Sequence, residues 1–134
     1  KRLADMGLQA IQLGTDGEEP IPGACRDYLG QTTFAQMVSL VRGAELCVTV
    51  DCVMSHLAAA VGTPAVVLFG PTPAGLIGYP CHRNLQAQGV CEPCWWADGR
   101  WRGCCVRDRD YACMRAIAPE WVIAEAGAIL QAPA

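Results

Sequence analysis

Positive charge, histidine and uninterrupted apolar length are all in short supply in this chain of 134 residues. Its ten Lys and Arg are outnumbered by thirteen Asp and Glu, for a net charge of −3 and a pI near 5.2. No basic face is evident, which argues against nucleic acid as a partner. The run Leu57 to Gly70 is broken by Gly62 and Pro64, and no stretch has the length of a transmembrane segment. No basic start leads into an apolar core, so no signal peptide is expected. The cysteine-rich tail offers no histidine as a metal ligand. No side chain reads as a convincing general base, so chemistry that needs one must find it elsewhere.

What is present is a globular composition, 52% hydrophobic and 17% charged, in a length suited to one domain with a proper core. Because the first residue is Lys1 and the opening already reads as a helix stopped by Gly7, the chain is expected to be a piece of a longer protein.

The organising stretch runs from Val48 to Thr72. Leu46 to Val50 and Ala65 to Phe69 are Val-rich and almost wholly apolar, as expected of strands buried on both faces of a parallel sheet. A helix from Met54 to Val61 lies between them and closes on Gly62-Thr63-Pro64, which makes a short crossover unit. Asp51 and Thr72 then fall at the carboxyl ends of neighbouring strands, the edge where open α/β sheets bind ligands. The amides of Cys52, Val53, Met54 and Ser55 begin a helix, and a helix N-terminus favours an anion such as a diphosphate. Asp51 suits hydroxyl hydrogen bonds from a sugar, and His56 could donate to a phosphate oxygen or simply satisfy a core contact.

Asp51-Cys52-Val53-Met54-Ser55-His56-Leu57-Ala58, with Gly62-Thr63-Pro64 and then Phe69-Gly70-Pro71-Thr72, resembles the signature of glycosyltransferase family 9, the ADP-heptose:lipopolysaccharide heptosyltransferases. Cys52 stands where that family has Ser or Thr, and Val53 where it has Gly. A Gly there could take a positive φ or let a phosphate approach the backbone, so Val53 either spoils the loop or is harmless in an ordinary negative-φ conformation. The likeness extends from about Leu8 to Val122.

The rest of the chain is read in the same frame. Leu8 to Leu13 is a strand, followed by a turn-rich loop to Pro20. The resemblance implies an acid on the donor ribose after this strand, with Glu18 the better match and Glu19 the fallback; a solvated acidic loop is the plain alternative. Cys25 to Gly30 reads as irregular. Gln31 to Phe34 opens a helix with apolar residues at Phe34, Met37, Val38, Leu40 and Val41, ending at Arg42-Gly43, with Thr32 as its N-cap. The resemblance places this loop against the nucleotide base, so Thr32 and Thr33 either line the donor site or only cap the helix. After Pro73 the chain is loop-rich to Pro80. Asn84 to Gln88 is a strand, and Pro119 to Gln131 is a helix with Pro119 and Glu120 in its first turn.

Nine cysteines remain to be placed. Cys47 reads as a small buried apolar residue in a strand. In the loop from 91 to 113, two residues separate Cys91 from Cys94, nine separate Cys94 from Cys104, and eight separate Cys104 from Cys113. That spacing can close a four-sulfur zinc site on Cys91, Cys94, Cys113 and Cys104, with Cys105 an alternative to Cys104. Reduced thiols under Trp95, Trp96 and Trp101, or a disulfide, are the other readings.

Residues 1–134 are thus expected to form the C-terminal lobe of a GT-B glycosyltransferase, an α/β, Rossmann-like parallel sheet with helices on both faces. By resemblance the lobe binds an ADP-heptose-like nucleotide sugar and is part of an inverting enzyme. A glycan or lipid-linked acceptor would be held by an N-terminal lobe absent from this chain, and the chain alone would bind donor without turnover. A cytoplasmic site, at or near the inner membrane, is implied. A noncatalytic binding or scaffolding module and a nucleotide-sugar epimerase of the same architecture are the rival readings.

Overall fold

In the computed structural model, residues 7–95, 105 and 110–132 are described. The helix tail expected at residues 1–6 lies outside them, as do Trp96, Trp101 and Cys104. Two compact units divide the chain, Lys1–Gly43 and Ala44–Ala134.

In the first unit, β1 (Ile11–Gly14) pairs in parallel with β2 (Arg26–Leu29), with Ile11 opposite Arg26 and Gly14 opposite Leu29. β2 is a correction to the sequence reading, which left Cys25 to Gly30 irregular. Its sequence, Arg-Asp-Tyr-Leu, has neither an apolar run nor a clean alternation. The strand is visible only through its ladder to β1. Helix α1 (Phe34–Arg42) follows, and its N-cap is Thr33 rather than Thr32. Gln36 is the reason. Thr33 Oγ1 accepts from the Gln36 amide at 3.3 Å, while Gln36 Oε1 accepts from the Thr33 amide at 2.8 Å. This reciprocal box requires a spacing of three residues, which Thr32 does not have.

The second unit holds β3 (Cys47–Val50), α2 (Val53–Val61), β4 (Ala65–Phe69), one helical turn α3 (Ala74–Ile77), β5 (Arg83–Gln86), a second such turn α4 (Ala112–Arg115), and α5 (Pro119–Gln131). The three strands form one parallel sheet in the order β3-β4-β5. Val50 lies opposite Leu68, and Phe69 opposite Gln86. β4 is central, and four of its five residues are buried, which is why its sequence is continuously apolar. The single sheet expected to include the first strand is replaced by two separate sheets, β1 pairing with β2 within the first unit.

The β3-α2-β4 crossover is the parallel unit expected from the sequence. Gly62 ends α2 in the left-handed conformation, φ 79°, and its amide bonds the Ala58 and Ala59 carbonyls. A residue with a Cβ would be strained there. Val66, Leu85, Ile117 and Ala126 form the core of this unit, flanked by Met114 and Val122. α5 runs over Pro119–Gln131, with Pro119 in its first turn and Glu120 complementing the dipole.

Candidate donor site at the carboxyl edge of the sheet

Parallel pairing of β3 with β4 brings Asp51 and the Gly70-Pro71-Thr72 loop to the same edge. The Asp51 amide continues the ladder to the Leu68 carbonyl at 3.2 Å, which fixes where its side chain starts. Thr72 Oγ1 donates to Asp51 Oδ2 at 2.6 Å. One carboxylate oxygen is thereby held by a short charge-assisted bond, and Oδ1 is left with its lone pairs for another donor.

The loop that carries Thr72 is tied down at each of its carbonyls. Gln86 on β5 donates through Nε2 to the Thr72 carbonyl at 2.7 Å and to the Gly70 carbonyl at 3.3 Å, while its Oε1 accepts from the Ala74 amide at 3.0 Å. The Pro71 carbonyl accepts from the amides of Cys94 and Trp95 at 2.8 and 3.0 Å. Gly70 allows a close approach, since a Cβ there would lie 2.6 Å from Met114 Sδ. Val50, Asp51, Thr72, Trp95 and Met114 thus share a cavity of about 160 Å³. The sequence reading did not single out Gln86, Trp95 or Met114 for this site. Trp95 directly after Cys-x-Pro-Cys was the one visible signal.

Helix α2 starts at the same edge. Its N-cap residue is Cys52, extended at φ −157° and ψ −174°, and no side chain caps the first turn. Cys52 Sγ lies 3.3 Å from Thr49 Oγ1 instead. A Ser or Thr at this position is a strong capping residue, so cysteine leaves the helix end more open to an external anion. Val53 is the first helical residue and has no positive φ; among the described non-glycine residues only Asp110 and Tyr111 do. Its side chain is half-exposed. The conformational threat posed by the missing glycine is therefore absent. Met54 is partly buried. Ser55 is buried, and both its amide and its hydroxyl donate to the Cys52 carbonyl, at 3.0 and 2.8 Å.

Both histidines meet this first turn. His56 is exposed, with Nδ1 2.9 Å from Tyr79 Oη and the two rings edge to face. His82 is buried, and its Nε2 donates to the Ser55 carbonyl at 3.2 Å. Tyr79 also stands edge to face with His82. The three rings brace the start of α2 and leave His56 Nε2 outside the Tyr79 bond.

In the first unit, Glu18 Oε1 accepts from the Thr15 amide and hydroxyl, both at 2.8 Å. These bonds hold its carboxyl below the ordinary carboxylate range. A Cβ on Gly14 would come within 2.7 Å of Glu18 Oε2, so this glycine lets the acid fold back over the end of β1. Glu19 contributes its carbonyl to Gln12 Nε2 at 3.0 Å. Thr32 lines a cavity of about 420 Å³ with Tyr28, Gln36 and Leu40, whereas Thr33 is occupied with the cap.

Of the cysteines, Cys47 is half-buried, and burial, aided by Cys52, pushes its thiol up to about 11. It stays neutral in ordinary buffers. Cys91, Cys94 and Cys113 are free thiols. Burial raises the Cys113 thiol, the Met114 amide opposes the rise, and Cys91, Cys94 and Cys105 are near enough to add to it by charge repulsion. Even so, among the described residues no three His, Cys, Asp or Glu are close enough to hold a metal ion. Cys104 lies outside the described residues. No described helix is long and apolar enough to cross a membrane.

The family model of glycosyltransferase family 9 (heptosyltransferase) matches residues 9–97. Lipopolysaccharide heptosyltransferase 1 of Pseudomonas aeruginosa is 38% identical over 68 residues, 49% of this chain and 19% of that protein. Lipopolysaccharide heptosyltransferase 2 of Escherichia coli K12 is 32% identical over 84 residues, 54% of this chain and 24% of that protein. Among solved structures, the iron-containing dodecameric glycosyltransferase TibC of enterotoxigenic E. coli superposes with a TM-score of 0.78 at 20% identity, covering 98% of this chain and 39% of TibC. TibC in complex with ADP-D-beta-D-heptose gives 0.79 at 22% identity, covering 95% and 37%. The chain therefore spans about a fifth of the curated relatives it matches and under two fifths of TibC, with which it shares the fold.

Proposed function

Because this chain belongs to glycosyltransferase family 9, we propose that residues 1–134 form the donor-binding, C-terminal lobe of an inverting heptosyltransferase. The whole enzyme would move a heptose-like sugar from an ADP-activated donor to a lipopolysaccharide core or related glycan. The observation that carries this reading is the Thr72-to-Asp51 hydrogen bond of 2.6 Å at the sheet edge where α2 begins uncapped. Similarity to lipopolysaccharide heptosyltransferases, and to a TibC structure that holds ADP-heptose, supports the choice of donor.

In this reading Asp51 Oδ1 accepts a hydroxyl of the transferred sugar. The open first-turn amides of α2, with that of Ser55 engaged on the Cys52 carbonyl, face the diphosphate, and His56 Nε2 donates to one of its oxygens. The acceptor hydroxyl oxygen attacks the anomeric carbon as the bond from that carbon to the phosphate oxygen breaks, and a base on the other lobe takes the hydroxyl proton. The leaving ADP gains negative charge, which the helix end and His56 stabilise. Glu18 is the first unit's candidate for the ribose hydroxyls. Thr32, with Thr33 beside it, is the candidate for the base. The lobe alone lacks the base and would bind donor without turnover. The acceptor, met through an N-terminal lobe, would place the enzyme in the cytoplasm near the inner membrane.

A metal on the 91–113 loop is a separate proposal. It is supported by the nearness of Cys91, Cys94 and Cys105 to Cys113 and by TibC being iron-containing. The thiols as placed do not form a ligand set, so an ion, zinc or iron, would have to draw them closer or recruit Cys104. No step of sugar transfer is assigned to it. Metal analysis of the purified protein, with and without Cys91→Ser and Cys113→Ser, decides the matter: one ion per chain, lost in both variants, is expected.

The test of function is transfer by the full-length protein. With ADP-heptose and a lipopolysaccharide core acceptor it turns over, and Asp51→Ala lowers the rate by roughly 100-fold or more. Donor binding with no transfer to any glycan would point instead to the noncatalytic module.

A further inference from the structure

The cavity beside Asp51 has a polarity pattern that the donor reading leaves unused. Its volume of about 160 Å³ is below the range of about 300–1,000 Å³ usual for a complete ligand site. It corresponds to roughly five waters at about 30 Å³ each. A whole nucleotide sugar does not fit, but one ring does. The oxygen-bearing side chains on its walls are Asp51 and Thr72, and Thr72 is already spent on Asp51 Oδ2. Other walls are apolar or aromatic: Val50, Leu68, Met114 and Trp95.

A carboxylate on one side and an indole on another is a pairing that suits a sugar. The hydroxyls need an acceptor, and the weakly positive C–H face of the ring is drawn to the negative face of an aromatic system. A phosphate is not served as well, since the carboxylate repels it. Trp95 is also positioned by the fold. Its amide and that of Cys94 converge on the Pro71 carbonyl, which ties the tryptophan to the loop that supplies Thr72. Met114, whose Sδ lies 2.6 Å from where a Gly70 Cβ would be, completes the wall.

The geometry points to Trp95 as a specificity-determining residue of the donor site, its indole forming the apolar platform for the transferred sugar while Asp51 takes the sugar's hydroxyls. This rests on the donor-binding reading above and adds the residue that recognises the sugar as distinct from the nucleotide. It further implies that the cysteine-rich loop takes part in recognising the donor, because Trp95 belongs to it.

The test compares ADP-heptose with ADP as ligands of the full-length protein by calorimetry. Trp95→Leu keeps apolar bulk and removes the aromatic face; Trp95→Phe keeps both. The preference of the wild-type protein for ADP-heptose over ADP falls about tenfold in Trp95→Leu and is largely retained in Trp95→Phe, while ADP affinity changes less than about twofold in either. If Trp95→Leu keeps the full preference for ADP-heptose, the assignment of Trp95 is overturned and the donor reading stands. If the wild-type protein binds neither ligand, the donor reading itself fails and takes this inference with it.

Discussion

Thr72 Oγ1 and Asp51 Oδ2 lie 2.6 Å apart although the two residues are 21 positions apart in the chain. The pair exists because β3 and β4 are parallel neighbours whose carboxyl ends coincide. Thr72→Val removes a bond to a charged group, of a class worth about 1.5–3 kcal/mol. In the full-length enzyme it is expected to lower kcat/KM by roughly tenfold or more, while Thr72→Ser keeps most of the activity. Steady-state kinetics on the two variants check this.

Gln86 is a positioning residue for the same loop. Gln86→Leu strips partners from the Gly70 and Thr72 carbonyls and the Ala74 amide. Unmade hydrogen bonds of this kind cost about 1–3 kcal/mol each when buried. The variant is expected to unfold at lower urea and to bind donor more weakly, and Gln86→Glu, which cannot donate to the carbonyls, behaves likewise. Urea midpoints alongside donor affinities provide the readout.

Gly70→Ala sets a new Cβ against Met114 Sδ at 2.6 Å and Cγ at 3.0 Å. Because Met114 is flexible, the overpacking is expected to cost about 1 kcal/mol, at the low end for such insertions. Adding Met114→Ala removes the clash, so the double variant loses less than the two single effects added together. Thermal denaturation of the four proteins measures that coupling.

These loops show where sequence reasoning stops. The crossover from β3 to β4 was legible, since a buried parallel strand is continuously apolar and the Gly62-Thr63-Pro64 break is hard to misread. β2 was not, because Arg26 and Asp27 hide a strand that is defined by its partner. The helix from Pro119 to about Gln131 was legible, while the single turns at Ala74–Ile77 and Ala112–Arg115 are too short for any periodicity to register. In the site, Asp51, His56 and Gly70 to Thr72 stand in one contiguous pattern. Gln86 and Met114 join them only through folding, and Trp95 is marked by nothing more than its place after Cys-x-Pro-Cys.

Val53→Gly tests whether this chain has lost its phosphate loop. Val53 adopts no positive φ, so glycine has no strain to relieve. It is expected to leave donor affinity unchanged within about twofold and to lower stability by about 0.5–1 kcal/mol, the entropic cost of glycine in a helix. A large gain in affinity by calorimetry would show that Val53 obstructs the site.

Glu18 offers a check by pH. Its carboxyl is held low by the Thr15 amide and hydroxyl. A lowered value means that the contribution to stability is fully present above the ordinary carboxylate range and is lost as pH falls through the lowered one. By NMR the Glu18 side chain is expected to titrate below ordinary glutamates, and Thr15→Val to move it part of the way back, the amide bond remaining.

The central claim is that a nucleotide sugar docks at the carboxyl edge of β3 and β4. Titrating the isotopically labelled protein with ADP-heptose while following its backbone amides measures that directly. The amides of Cys52 to His56 and of Gly70 to Thr72 are predicted to shift together with one affinity, and Asp51→Ala to weaken the response. Shifts confined to residues at the opposite end of these strands, with those two segments unmoved at saturation, would contradict it.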